Sequence, residues 1–377
     1  MNKFLFWFSI SGSLYTYLGY PLLLHLIRVF TTNKAEDRGE DPTEYTPSVS
    51  LLIPAHNEGA TIEAKIRNTL SLDYPREKLE VIVISDGSTD STNSIVSGYR
   101  GEGVSFIELE SRGGKARALN SGLAIAKGEI IVFSDASILL EPKALREIVC
   151  GFLDESTGCI SGEDHILEPG GEGLYGRYEL YLRNLESAVY SIVGASGSFY
   201  AQRRNLCQPF REGMAPDFLS VLATVEMGYR AITEPSAIGH MTSSKKIKDE
   251  FRRKERTILR GITTLSHKRN LLNPFRYGIF SFSLFSHKVM RWLVPFFMIL
   301  LIISNVRLLA DPFYRWVMLG QGIFYLLACG SLLKRTGSRS LILKIPHYFF
   351  ISNAAILMAI MKYMTGVRQE IWTPTQR

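Results

Sequence analysis

Apolar residues in this chain gather in short runs that break off at small and acidic residues. Ser50 to Ile53 runs into Pro54-Ala55-His56-Asn57-Glu58, Val81 to Ile84 into Ser85-Asp86-Gly87-Ser88-Thr89-Asp90, and Ile130 to Phe133 into Ser134-Asp135-Ala136-Ser137. Runs this short, apolar on both alternating faces, predict strands buried on both sides of a mainly parallel sheet. Helices are expected over Thr61 to Leu72, from Asp90, and over Lys115 to Ala126, with a further strand near Phe106 to Leu109. This alternation predicts an α/β fold, a doubly wound sheet with right-handed crossovers. Such sheets bind ligands at the carboxyl ends of their strands, so the polar clusters are expected to line one crevice.

Longer apolar stretches lie at the two ends. Phe4 to Phe30 is nearly uncharged until Arg28, and it is too long and too aromatic for a cleaved signal peptide. It reads as a retained membrane helix. Residues 292–309, 313–333 and 341–364 are each long enough to span a hydrocarbon core. The expected organisation is therefore a membrane helix over 1–30, a polar linker over 31–47, a domain over 48–273 and membrane or interfacial segments over 274–377. If all three late segments span, Lys362, Arg368 and Arg377 end outside, against the positive-inside tendency. A re-entrant or interfacial last segment, interrupted by Pro346 and Asn353, is the alternative.

The net charge of +7 is concentrated in one place. Lys245 to Arg276 holds 11 Lys or Arg against 3 Asp or Glu, a local +8, which leaves the remainder at −1. Within it Ile247, Phe251, Ile258, Ile262 and Leu265 recur at helical spacing among arginines. A basic amphipathic helix over 247–265, on the cytoplasmic side of a membrane and in contact with its lipid, is expected. No nucleic-acid-binding motif accompanies the charge, so nucleic acid is not an expected partner. Four cysteines show neither zinc spacing nor a disulfide framework.

Two glycine motifs fail on inspection. Gly113-Gly114-Lys115 lacks both the earlier glycine and the Ser or Thr of a P-loop, because Leu109 and Ala116 stand there. It remains a glycine turn opening a helix. Gly171-Glu172-Gly173-Leu174-Tyr175-Gly176 follows Glu168-Pro169-Gly170 rather than a strand, so it is expected to be a loop.

The ordered set formed by Pro54 to Glu58, Asp86, Gly113 to Asn120 and Asp135-Ala136-Ser137 resembles the nucleotide-sugar site of membrane-embedded, inverting family 2 glycosyltransferases, such as bacterial exopolysaccharide synthases. The resemblance covers about residues 48 to 270. It implies a GT-A-like doubly wound mixed sheet flanked by transmembrane helices, in the cytoplasmic membrane of a bacterium with its domain in the cytoplasm. It implies transfer of a sugar from a nucleotide sugar, UDP-linked, to a polysaccharide or lipid-linked acceptor, with polysaccharide export machinery as a further partner. Pro54, Ala55, Asn57, Glu58, Asp86, Lys115, Asn120 and Asp135 are the donor-binding residues it implies. For Asp86, turn formation around Gly87-Ser88-Thr89 would use the same residue type.

Asp135-Ala136-Ser137 stands where the family has its D-x-D motif, with serine for the second aspartate. A divalent cation, Mg2+ or Mn2+, is implied, with Asp135, Ser137 and His240 as candidate ligands. A hydroxyl is a poorer ligand than a carboxylate, and a lone histidine before a basic helix is ordinarily structural. The family's acidic pair corresponds to Pro216-Asp217, so Asp217 is the candidate catalytic base, although an Asp before an apolar run also serves as a helix N-cap. Gly197 and Ser198 lie in a small-residue turn expected to face the acceptor. Arg253 and Arg256 stand where processive members carry Q-x-x-R-W, without its glutamine and tryptophan. The ending from Trp372 to Arg377 is similar to the tails of some processive members. A non-catalytic nucleotide-binding subunit of a polysaccharide assembly is the alternative function.

Overall fold

The structure, a computed structural model, describes residues 1–31, 45–166, 171–241, 247–333 and 341–367. Most of the expected linker and all of the Trp372 to Arg377 ending lie outside the described residues. In chain order the strands are β1 (Val49–Ala55), β2 (Leu79–Asp86), β3 (Val104–Leu109), β4 (Ile130–Ser134), β5 (Leu139–Leu140), β6 (Thr157–Ile166), β7 (Phe199–Arg203) and β8 (Arg230–Met241). The helices are α1 (Asn2–Leu14), α2 (Tyr20–Thr31), α3 (Ile62–Leu70), α4 (Thr92–Gly98), α5 (Lys115–Ile125), α6 (Ala144–Cys150), α7 (Gly171–Val189), α8 (Pro216–Glu226), α9 (Ile247–His267), α10 (Pro274–Leu284), α11 (Met290–Val306), α12 (Pro312–Leu333) and α13 (Leu341–Met364).

The strands form one mixed sheet in the order β3-β2-β1-β4-β7-β6-β8-β5. Its first four are parallel, with Val49 of β1 opposite both Leu79 of β2 and Ile130 of β4. β7 then runs antiparallel to β4 and β6, which turns the sheet from a parallel half to a mixed one. The sequence explains why the parallel half is central. Leu51 and Ile53, Val81 and Val83, and Ile130 and Val132 pack into one apolar layer with α3 and α6. Their alternates Leu52, Ile82, Ile84, Ile131 and Phe133 pack into the other, with α5, α8 and the end of α10. Each buried aliphatic side chain contributes about 1.5–3 kcal/mol, so both faces must be covered for these strands to be stable.

Gly171 to Gly176 is not the loop expected from sequence: it lies within α7. Tertiary contacts further along that helix hold it. His287, in a π-helical turn between α10 and α11, lies 2.6 Å from Glu186 and 3.3 Å from Glu179 of α7. Arg291 donates to Glu179 Oε1 at 2.5 Å, and Tyr20 of α2 donates to Glu186 Oε1 at 2.9 Å. Burial opposes ionisation of Glu179, yet Arg291 and His287 hold its carboxyl well below the usual range. The first and the late apolar helices are thereby joined to the domain through one buried charged cluster. Two helices among the described residues are long and apolar enough to cross a membrane, 274–306 and 345–364.

The link from α5 to β4 shows how closely the layers approach. A Cβ on Gly128 would lie 2.4 Å from the Ser50 nitrogen and 2.6 Å from the Val49 carbonyl carbon, backbone atoms that cannot give way. Gly128→Ala is therefore expected to destabilise the protein by roughly 1–3 kcal/mol, read as a lowered melting temperature. Gly98→Ala, where no atom lies within 4 Å, should leave it unchanged or raised.

Candidate active site

The loops after β1, β2 and β4 meet at one end of the sheet, as the polar clusters predict. The β1 loop is shaped by Asn57, which at φ 53° adopts the left-handed conformation that asparagine tolerates. Its Oδ1 accepts from the Thr89 nitrogen at 2.8 Å, and its own nitrogen donates to Ser88 Oγ at 3.1 Å, so the β1 and β2 loops brace each other. His56 Nδ1 lies 2.7 Å from the Asp86 carbonyl. Glu58 accepts from Thr61 Oγ1 at 2.6 Å at the approach to α3. Pro54 and Ala55 complete β1 and are buried.

Asp86 is only 3% exposed, and its two oxygens accept from the Gly113 and Gly114 nitrogens, each at 2.7 Å. Thus it shapes the glycine turn rather than capping its own loop. Gly114 has φ 87° and forms the N-cap of α5, a conformation that favours glycine. Lys115 follows as the first helical residue and crosses the crevice, donating to Asp135 Oδ1 at 2.5 Å and to the Gly197 carbonyl at 3.0 Å. Asn120, on the same helix, is taken up differently: its amide exchanges two hydrogen bonds with the Phe210 backbone, both 2.8 Å.

Beyond Lys115 lies the turn from Gly194 to Ser198. Ser196 organises it, donating to Asp164 Oδ1 at 2.5 Å and accepting from the Ser198 and Phe199 nitrogens at 3.1 Å. Asp217 faces this turn, its carboxylate atoms 3.8–3.9 Å from where Gly197 would carry a Cβ. The N-cap of α8 is Ala215, so Asp217 sits in the first turn and is not the cap. An acid there is favoured by the helix dipole. Burial raises its pKa, Lys115 and Lys288 counter that, and Asp135 adds to it. Burial likewise raises Asp164, against the Ser196 hydrogen bond and Arg183.

α9 brings Arg253, Arg256 and Arg260, at i, i+3 and i+7, onto one face. Thr264 continues that face and accepts from the Ala215 nitrogen at 3.0 Å, directing the stripe toward the start of α8. Burial, with Arg260 and Arg253 beside it, lowers Arg256 to about 10. Burial lowers Arg260 too, and the Asp217 carboxylate opposes the shift.

Lys65, Arg260 and Lys288 also belong to this surrounding, and the motifs do not point to them as site residues. Lys65 left one signal, a lysine at helical spacing on the face of Ile62, Ile66 and Thr69. Lys288 comes from a helix some seventy residues beyond Asp217, and its ammonium lies 5.4 Å from the Phe218 ring centroid.

As for a cation, His240 is engaged by Glu141 at 2.9 Å, and among the described residues no three His, Cys, Asp or Glu gather as a ready metal cage. Asp135 offers one carboxylate at the crevice, with Ser137 two residues on. This donor set fits a hard cation that takes few protein ligands and fills its shell from phosphate oxygens and water.

A mixed sheet whose parallel half ends in these loops defines the GT-A glycosyltransferase architecture. Residues 50–200 match the family described as Glycosyl transferase family 2. It is 29% identical over 215 residues to a Bacillus subtilis protein named Probable glycosyltransferase YdaM, covering 51% of this chain and 50% of that one. It is 30% identical over 168 residues to the Staphylococcus aureus poly-beta-1,6-N-acetyl-D-glucosamine synthase, covering 44% of this chain and 39% of that one. The chain thus spans about half or less of the length of these curated relatives. Among solved structures it is similar to a mannosyltransferase from Pyrobaculum calidifontis in complex with GDP-Man and Mn2+, with a TM-score of 0.71, 25% identity and coverage of 96% of this chain and 99% of that one.

The raised pKa of Asp217 has a consequence for stability. A carboxyl raised by folding binds its proton more tightly in the folded state, so its contribution is fully favourable below the usual carboxylate range and is lost as pH rises through the raised value. Asp217→Asn should therefore melt at a higher temperature than wild type near pH 7.5, and the difference should shrink as pH falls through the carboxylate range. A lower melting temperature for the variant at pH 7.5 would contradict the assigned burial.

Proposed function

We propose that the protein catalyses inverting transfer of a sugar from a nucleotide sugar, UDP-linked on the family resemblance, to a hydroxyl of a polysaccharide or lipid-linked acceptor. The observation that carries this reading is the placement of Asp217. A half-buried carboxylate of raised pKa stands across Gly197 from the Lys115–Asp135 pair, at the carboxyl edge of the parallel strands. A carboxylate made a stronger base than a free one suits removal of a hydroxyl proton as the oxygen attacks.

In this reading the loops bearing Pro54, Ala55, Asn57 and Glu58 grip the nucleoside, and Asp86 holds the turn that delivers Lys115. Asp135, with Ser137, would hold a divalent cation that compensates diphosphate charge. The acceptor hydroxyl loses its proton to Asp217 while its oxygen bonds to the sugar's anomeric carbon. The bond from that carbon to the diphosphate oxygen breaks on the opposite face, and Lys115 offsets the charge that develops there. Gly197 and Ser198 border the acceptor path, and Arg253 and Arg256 extend along it. Domain 48–273 faces the cytoplasm, with helices of 1–30 and 274–377 in the membrane. The basic stretch around α9 and the two long apolar helices support that placement. The family 2 match and the retained acid favour catalysis over a purely nucleotide-binding role.

The test is Asp217→Asn in detergent-purified protein, assayed with a panel of UDP- and GDP-sugars. Turnover is expected to fall by roughly 100-fold or more with nucleotide affinity nearly unchanged, because the interaction is needed only as the proton leaves. Turnover close to wild type would assign the base elsewhere, with Asp164 the next residue to replace.

A further inference from the structure

Lys65 is a charge that packing does not explain. It occupies the inner face of α3 and is 0% exposed. Its ammonium donates to Ser134 Oγ at 2.7 Å and to the Ile138 carbonyl at 2.8 Å, both neutral acceptors. Enclosing an ammonium without a contacting carboxylate costs several kcal/mol, and a methionine would fill similar space without that cost. Burial pushes its pKa down to about 7, and the Asp135 carboxylate opposes that shift.

Its two acceptors explain its position. Ser134 ends β4 and Ile138 precedes β5, so they bracket Asp135-Ala136-Ser137 on both sides. The Asp135 nitrogen donates to the Ser198 carbonyl at 2.9 Å, and the Ile138 nitrogen to the Asp135 carbonyl at 3.4 Å, which completes a tight, fully held turn. α3 belongs to one apolar layer of the sheet and α5 to the other. Asp135 is therefore approached by Lys115 from the α5 side, while Lys65 fastens the two ends of its segment from the α3 side.

We infer that Lys65 is a positioning residue of the donor site, holding the Asp135–Ser137 segment in the shape that receives the diphosphate end of a nucleotide. The inference rests on the crevice being a nucleotide-sugar site. It requires an effect on diphosphate recognition that general loosening of the fold would not produce, because the bonds of the Lys65 ammonium go to the two ends of the Asp135 segment rather than to the β1 or β2 loop.

The experiment compares wild type, Lys65→Met and Ser134→Ala as full-length protein in detergent with Mn2+. Binding of uridine, guanosine, UDP and GDP is measured by NMR and calorimetry, alongside melting temperature. Lys65→Met is expected to bind the nucleoside as wild type does, to bind the matching diphosphate at least about 10-fold more weakly, and to melt no lower. Ser134→Ala, which removes one of the two acceptors, should show the same selective loss to a smaller degree. Wild-type diphosphate affinity in Lys65→Met overturns the inference, as does an equal loss of nucleoside and diphosphate. Should Lys65→Met fail to fold, Ser134→Ala decides by the same comparison. Wild-type protein that binds neither nucleosides nor diphosphates refutes the donor-site reading, and this inference with it.

Discussion

The grip of the Asp86 carboxylate on the Gly113 and Gly114 nitrogens is the contact on which the crevice depends. A buried carboxylate needs hydrogen-bond donors, and a glycine turn with no side chains offers two side by side. Satisfying each other, they fix the start of α5 relative to β2. Lys115 is then delivered as the first residue of a helix rather than from a free loop, and its reach to Asp135 and Gly197 is set. The space between is tight: a Cβ on Gly87 would lie 2.6 Å from the Arg112 nitrogen, and its φ of 61° already favours glycine. From one carboxylate to the next, Asp86, Asp135 and Asp217 are ordered along the sheet edge by backbone turns that leave little freedom.

A second constraint ties this edge to the apolar helices. Glu179, Glu186, His287, Arg291 and Tyr20 form a buried cluster drawn from three distant parts of the sequence. Buried ion pairs add little net stability compared with apolar packing, but breaking one partner is costly, so such a cluster enforces a single arrangement. The same π-helical turn that sends His287 into this cluster places Lys288 with its ammonium 3.4 Å from where Gly194 would carry a Cβ. A residue from the late helical segments thus completes the surroundings of Asp217.

The parallel half of the sheet was legible in the sequence because its signal is local. An apolar run that stops at a polar cluster marks both a strand and its carboxyl end, and β1, β2, β3 and β4 fall within a few residues of where the pattern places them. The crevice followed from the same signal. What was not legible depends on distance in sequence. Nothing near Asp86 announces that its partners lie 27 and 28 residues on, and nothing near Asn120 announces Phe210. The glycine-rich start of α7 reads as a loop because its helix is held by residues more than a hundred positions away. Asp217 also reads locally as a helix N-cap, and the placement of Ala215 as N-cap removes that reading.

One crevice, bounded by Asp86, Lys115 and Asp135, is proposed to receive the nucleotide. An experimental structure of the protein soaked with a nucleoside diphosphate and Mn2+ tests it most directly. Phosphates are expected beside Lys115 and Asp135, with the base toward the Asn57 and Asp86 loops. A nucleotide lodged elsewhere, for example in the shallow depression lined by Glu129, Arg203, Arg204 and Asn205, would contradict it.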